Sequence, residues 1–97
     1  MALVVRNGDR SCGTCGCPPI TTHGSSVSNV VVEGSRPLVV GNIFGRHPGG
    51  GKHCRHTEVT IMGNPSVLIN GRPVVVTMKR LSRGDTTGTG SPTVKVG

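Results

Sequence analysis

Three segments of this sequence repeat one pattern, which is a Gly, a small polar residue and a Val-rich run, followed in the first two copies by Gly-x-Pro or Gly-x-x-Pro. The copies span residues 24–37, 63–73 and 90–97, and the first has two extra residues that indicate a bulge. A few residues lead into each Gly, so each copy is predicted to be a short hairpin. Because such units bury their apolar faces only against one another, the pattern predicts an approximate threefold arrangement about an axis. The alternative is a chance likeness among Val- and Gly-rich hairpins.

The local patterns throughout the chain favour strands over helices. No window has the apolar spacing of an amphipathic helix, whereas several runs are β-branched and bounded by Gly or Pro. These runs are Val30-Val31-Val32, Leu38-Val39-Val40 and Val74-Val75-Val76-Thr77. Turn signals separate them at Asn7-Gly8-Asp9, Glu33-Gly34, Asn70-Gly71 and Arg83-Gly84-Asp85. We therefore expect one all-β domain over residues 1–97, built from short strands.

The composition limits the core that such a domain can build. The chain has 16 Gly, 7 Pro and one Phe, without Trp or Tyr, so the core must be thin and made of Val, Ile, Leu and Met. Ordering a residue costs about 1.5 kcal/mol, so a chain of this size usually adds disulfides, a structural metal or a permanent partner. The four Cys and four His are the side chains available for the first two.

The N-terminal residues predict where the protein is made. The first six residues are too short and too interrupted for a signal peptide, and no apolar run approaches the roughly 20 residues of a membrane span. We expect a soluble protein made in the cytoplasm, where thiols stay reduced. Clustered Cys and His are therefore interpreted first as metal ligands, and the Cys only second as disulfides. A secreted, disulfide-linked fold is the alternative.

Several short elements and their order resemble the PAAR-repeat proteins. These elements are Arg6-Asn7-Gly8-Asp9, Asn70-Gly71-Arg72-Pro73-Val74-Val75-Val76, Arg83-Gly84-Asp85 and the three Gly-led hairpins. The resemblance covers nearly the whole chain. It implies a small conical fold with a base of three similar hairpins and a metal ion near the apex. The chain departs from the family pattern because the usual Ala-Ala-Arg is replaced by Val-rich runs and the third unit lacks a Cys before its Gly.

The resemblance also implies a metal site, because the His-rich loop between the first two hairpins supplies ligands in relatives. The ion would be one structural metal, zinc or alternatively iron, bound in a tetrahedron. From this loop we expect His47, His53 and His56, with Cys15 from the first loop and Cys12 in reserve for the missing Cys. His23 takes the place that Met62 has in the second hairpin and is expected to face the core. Cys17 and Cys54 are expected to be small buried residues.

The function that the resemblance implies is structural. A tip of this family caps and sharpens the trimeric β-helical spike of a contractile phage tail or a type VI secretion system, and it meets the target membrane transiently. Assembly into that spike would carry the chain out of the bacterial cytoplasm. Apolar residues of the last hairpin, such as Val94 and Val96, are expected among the contacts with the spike.

Other function classes have weaker support in the sequence. The net charge of +7 is scattered without a dense run or aromatic side chains for stacking, so we expect no nucleic-acid partner. No small-molecule substrate is expected, and the chain is expected not to be an enzyme, because none of its four acids lies in a recognisable catalytic motif. The acids are Asp9, Glu33, Glu58 and Asp85. The competing interpretation is a free-standing module that binds zinc or nucleic acid.

Overall fold

The regular structure of the chain consists of short antiparallel strands. The computed structural model describes residues 2–13, 16–17, 19–21, 24–46, 54 and 56–96, with the backbone alone at 44–46. Within these ranges the strands are β1 (Ala2–Leu3), β2 (Ile43–Arg46), β3 (Thr57–Val59), β4 (Asn64–Ile69), β5 (Arg72–Val74) and β6 (Lys95–Val96). They form three two-stranded sheets, β1–β6, β2–β3 and β4–β5. The all-β prediction is confirmed, and turns occur as expected at 7–8, 33–34, 70–71 and 82–83. These same ranges contain no helix that is long and apolar enough to cross a membrane.

Three extended segments pair with one another through backbone hydrogen bonds that form a closed ring. The segments are residues 3–7, 36–40 and 73–77. At the centre of the ring, Val5 N donates to Val75 O, Val75 N donates to Leu38 O, and Leu38 N donates to Val5 O, each at 2.9 Å. Three outer bonds of 2.9, 3.0 and 2.9 Å run from Asn7 N to Arg36 O, from Val40 N to Pro73 O and from Thr77 N to Leu3 O. Each segment therefore pairs with both of the others in the same antiparallel register.

The third repeat is not the self-contained hairpin that the sequence suggests. In the second repeat, β4 turns back into β5, and in the first a bridge joins Val32 to Ser35. In the third, β6 pairs instead with β1, with Val96 opposite Ala2. The reason is that β1 runs on into ring segment 3–7, as β5 runs into segment 73–77. The N-terminal strand thus supplies the returning strand of the third repeat.

Apolar side chains pack on both sides of the ring, because alternate residues of an extended segment point to opposite faces. One side holds the loop-side cluster, so named because two of its members come from connecting loops; it consists of Val5, Ile20, Leu38, Val75 and Leu81. The other side holds the hairpin-side cluster of Val4, Val74 and Val76. Half-buried residues from all three repeats cover the second cluster, and among them Val32, Ile69 and Val96 occupy the same repeat position. The thin core is therefore divided into two layers by the ring.

The Gly that begins each repeat lies against the backbone of another segment. A Cβ added at Gly24 would collide with the carbonyl of Ile43. At Gly63 it would lie 2.6 Å from Val74 O, and at Gly90 it would lie 2.9 Å from Val4 O. Since real Cβ atoms do not approach carbonyl oxygens so closely, close backbone packing accounts for glycine at the first position of every copy.

One turn carries an unfavourable residue. The residue three positions after the centre of each ring segment has a positive φ, and these residues are Gly8 (92°), Gly41 (98°) and Met78 (64°). Left-handed backbone costs an ordinary L-residue about 1–2 kcal/mol. Met78 is 72% exposed, so little packing compensates for this strain.

We expect Met78→Gly to raise the free energy of unfolding by about 0.5–1 kcal/mol. The relief of strain exceeds the extra backbone entropy that glycine loses on folding, which is about 0.5–1 kcal/mol. Urea unfolding measures the change. Met78→Ala is the matched control, because it removes the same side chain and keeps the strained backbone; an equal gain in both variants would contradict the explanation from φ.

Candidate functional site

The residues expected to bind a metal are described only in part. Cys15, His47 and His53 lie outside the described residues, as does His23. Met62, on which the expectation of a core-facing His23 rests, is 46% exposed, so the analogy gives no support for that expectation. In the described part of the chain, no group of three or more His, Cys, Asp or Glu side chains is arranged to hold a metal.

Two of the expected ligands are described. Cys12 carries a free, exposed thiol whose Sγ lies 3.6 Å from the carbonyl oxygen of Thr87. His56 is half-buried and lies beside the carboxylate of Glu58. These two side chains come from the first loop and from the segment that leads into β3.

Cys17 and Cys54 form a disulfide, which corrects the expectation that both are simply small buried residues. They are separated by 37 positions in sequence, and their Cα atoms lie 5.6 Å apart. Both are buried, as expected, but the pairing of cysteines cannot be deduced from their spacing. A metal binds thiolates, so two sulfurs joined to each other are not part of a ligand set. The disulfide ties the loop that contains Cys12 to the segment between β2 and β3.

Glu58 is a buried carboxylate that joins β3 to a neighbouring turn. Its side chain has no exposure to solvent. Its Oε2 lies 2.6 Å from His56 Nε2, and its Oε1 accepts a hydrogen bond of 2.7 Å from the backbone N–H of Arg83. A buried carboxylate requires such partners, because the loss of hydration is otherwise very unfavourable. This pair was not predicted from the sequence, although residues two apart in an extended segment share a face.

Asp85 is a second buried carboxylate on the loop side. Its Oδ1 accepts hydrogen bonds from the backbone N–H groups of Gly13, at 2.8 Å, and Thr86, at 2.7 Å. It therefore anchors the loop after Cys12 to the turn at 82–85. Together with the Cys17–Cys54 disulfide and Glu58, it connects three loops that are distant in sequence.

The other two acids also bind protein groups. Asp9 Oδ2 accepts a hydrogen bond from Arg6 N at 2.8 Å and forms a salt bridge with Arg6 Nε at 3.3 Å. Its Oδ1 accepts a hydrogen bond from the Thr89 hydroxyl at 3.0 Å, which ties the first turn to the third repeat. Glu33 Oε1 accepts a hydrogen bond of 3.1 Å from Thr93 N, which ties the first repeat to the third. All four acids thus join separate parts of the chain.

Glu33 gives the fold a small dependence on pH. Its hydrogen bond with the Thr93 hydroxyl, and then the Thr93 amide and the charge of Arg6, hold the pKa of Glu33 below its ordinary value. A lowered pKa in the folded state means that the ionised carboxylate stabilises the fold at neutral pH, and that this stabilisation is lost as the pH falls through the lowered pKa.

Glu33→Gln should therefore be less stable than the parent protein at neutral pH. The difference should disappear in acid. Urea unfolding midpoints across this pH range test it, and a constant difference would contradict an ionic contribution.

The hairpin strands expose apolar side chains that sequence analysis did not single out. Val31 is 66% exposed and Leu68 is 58% exposed, and they occupy the same position of the first and second repeats. The side-chain amides of Asn29 and Asn70 hydrogen bond to each other reciprocally, at 3.3 and 3.1 Å, and join these two repeats. Large exposed apolar side chains on adjoining elements are typical of interaction surfaces. The run Val67-Leu68-Ile69 could have indicated them, because adjacent residues of a strand point to opposite faces and three apolar residues in a row cannot all face the core.

The comparison with known proteins gives no relative: no family model matches this chain, and no curated protein matches it.

Proposed function

We propose that this protein is a PAAR-type tip that caps a trimeric β-helical spike. The observation that carries the proposal is the ring, in which three segments of one chain make the same pair of hydrogen bonds to their neighbours. Such a monomer has an approximate threefold axis. A single copy can therefore match the true threefold axis at the end of a trimer. A chain without three similar surfaces could not make similar contacts with all three subunits.

The hairpin-side face is the surface that would dock on the spike. Half-buried residues of all three repeats lie on this side of the ring, and Val31 and Leu68 are exposed apolar side chains of the first two repeats. The third repeat has Lys95 at the corresponding position. Val94 and Val96 are half-buried against the hairpin-side cluster, so they would support the docking surface together with the exposed residues.

The opposite, loop-side end would meet the target membrane first. Its loops are connected by the Cys17–Cys54 disulfide and by the two buried carboxylates, which suits a part that must resist deformation. The long dimension of the protein is 36 Å, against 25 and 21 Å for the other two. The function is mechanical in this proposal, without a substrate, in a phage tail or a type VI secretion system.

A structural metal would add to this rigidity. The side chains proposed to hold it are His47, His53, His56 and Cys15, with Cys12 in reserve. His56 fits such a role, because its ring is held by a buried carboxylate as metal-binding histidines usually are. When bound, the metal would supply a link between the loops and no chemical reaction.

The test is the stoichiometry and affinity of binding to a trimeric β-helical spike protein from the same system. Native mass spectrometry should find one chain per trimer. Leu68→Asp should weaken binding at least tenfold, because it places a charge in the apolar docking surface. Ile61→Asp is the control and should leave binding unchanged, because Ile61 is an exposed apolar residue outside the hairpin strands. No affinity for the spike, or binding of DNA or RNA with a steep salt dependence instead, would overturn the proposal.

A further inference from the structure

We propose that a groove between the second and third repeats binds the carboxylate of an acidic side chain from the protein on which the hairpin-side face docks. The groove has a volume of about 520 Å³ and is lined by the start of β4, by residues 76–79 and by β1 and β6. This inference rests on the proposed docking of that face and names the chemistry of one contact within it. Val76 and Lys79 of the groove carry the argument.

The turns that follow the three ring segments occupy equivalent positions, because the central hydrogen bonds put the segments in the same register. These turns are residues 6–9, 39–42 and 76–79. In the first turn, Asp9 Oδ2 accepts a hydrogen bond of 2.8 Å from Arg6 N. In the second turn, Asn42 Oδ1 accepts a hydrogen bond of 2.9 Å from Val39 N. In both, the last side chain of the turn is the acceptor for the first backbone N–H.

The backbone of the third turn is arranged like that of the second. Lys79 N donates to the Thr87 hydroxyl at 2.9 Å, as Asn42 N donates to the Thr60 hydroxyl at 2.8 Å. Each of these hydroxyls donates in turn to the carbonyl of the first residue of its turn, at 2.7 and 2.8 Å. The third turn therefore differs from the second in its last side chain and not in its framework.

The third turn lacks the acceptor that the other two have. Lys79 stands at its last position, and an ammonium group has only donors. Val76 N makes no hydrogen bond to the part of the chain that the structure describes, although Val76 is only 1% exposed. A buried backbone N–H without a partner is unfavourable, and nearly all such groups are paired in native proteins. The turn thus offers a donor to an acceptor that enters the groove.

A carboxylate matches this donor and its surroundings. It has only acceptor sites, so one oxygen can accept from Val76 N while the other pairs with the ammonium group of Lys79. The first turn already uses a carboxylate, that of Asp9, in the same role. The four acids of this chain all bind other groups, and its net charge of +7 favours an acidic partner. The carboxylate is therefore expected from the docked protein.

The first measurement is an NMR titration of the nitrogen-15-labelled protein with sodium acetate, with sodium chloride at equal ionic strength as the control. We expect a saturable downfield shift of the Val76 amide proton, because it gains a carboxylate acceptor. The amides of Arg6 and Val39 are internal controls and should not shift, since side chains of their own turns already accept from them. No saturable shift at Val76, or a shift with phosphate and none with acetate, would overturn the inference.

The second measurement is the thermal stability of Lys79→Asn, which supplies the acceptor of the second turn from within the chain. We expect its Tm to rise by about 4–8 °C, because the N–H of Val76 gains a partner, and its acetate response to disappear. Lys79→Met is the matched control, since it removes the charge without adding an acceptor, and its Tm should not rise. Equal Tm values for the two variants would contradict the missing acceptor.

The third measurement is the affinity of the parent protein and Lys79→Met for the trimeric spike. We expect the variant to bind at least tenfold more weakly, because the carboxylate loses its charged partner. Equal affinities would overturn the inference and leave the proposed function standing. A spike that does not bind the parent protein would overturn the proposed function and this source of the carboxylate, and the acetate titration would still decide whether the groove binds one.

Discussion

Replacing both Cys17 and Cys54 by alanine is expected to lower the free energy of unfolding by about 4 kcal/mol under oxidising conditions. The disulfide joins residues 37 positions apart, so it removes a large number of conformations from the unfolded chain. For a domain of this size the loss corresponds to a decrease in Tm of roughly 15–30 °C. Thermal unfolding followed by circular dichroism measures it. A chain with so few large apolar side chains has little other stability to compensate.

Cys12→Ala is the control for this experiment, because the Cys12 thiol is free and exposed. Its Tm should stay close to that of the parent protein. Adding a reductant should lower the Tm of the parent protein to that of the double variant and leave the double variant unchanged. A parent protein that is insensitive to reductant would show that the disulfide does not contribute to stability.

Leu38→Ala is the second change with a large expected effect, a loss of about 3–5 kcal/mol. Leu38 has no exposure to solvent and packs with Val5 and Val75 at the centre of the ring. The same three residues make the central hydrogen bonds, so the cavity would open where the three segments meet. Close backbone pairing around the site limits how far the structure can relax to fill it. Chemical unfolding gives the free energy directly.

Leu68→Ala provides the matched control, since it removes the same atoms from a side chain that is 58% exposed. Surface changes of this kind usually alter stability by less than about 0.5 kcal/mol. Similar losses in the two leucine variants would contradict the two-layer core, because Leu38 would then be no more important for packing than a surface residue.

The repeats could be predicted from the sequence, but their register could not. Aligning the two Arg-Pro pairs makes Leu38 equivalent to Val74, whereas the hydrogen bonds of the ring make Leu38 equivalent to Val75. A shift of one residue moves a side chain to the other face of a strand, so the alignment would assign Val74 to the wrong layer. Three consecutive valines are apolar in either register, and hydrophobicity alone could not decide between them. Long-range backbone pairing decides it.

The loop side was harder to predict, because its contacts join residues distant in sequence. The spacing of the cysteines gave no indication that Cys17 pairs with Cys54. The acids were judged only for catalysis, and their role as acceptors for backbone N–H groups of other loops was not foreseen. The pair of His56 and Glu58 is the exception. Its spacing of two would have placed both side chains on one face if the segment before β3 had been recognised as extended.

The ring also has a consequence for how the chain reaches its native state. Its central hydrogen bonds join residues 5, 38 and 75, and β1 pairs with β6 near the other terminus. Closing such long loops must precede most of the stabilising contacts, and proteins dominated by distant pairings fold in milliseconds to seconds, far more slowly than helical bundles. During synthesis segment 36–40 can pair with residues 3–7, but the ring cannot close until residues 73–77 have left the ribosome. Folding is therefore a late event for this chain, and its valine-rich strands stay exposed until then.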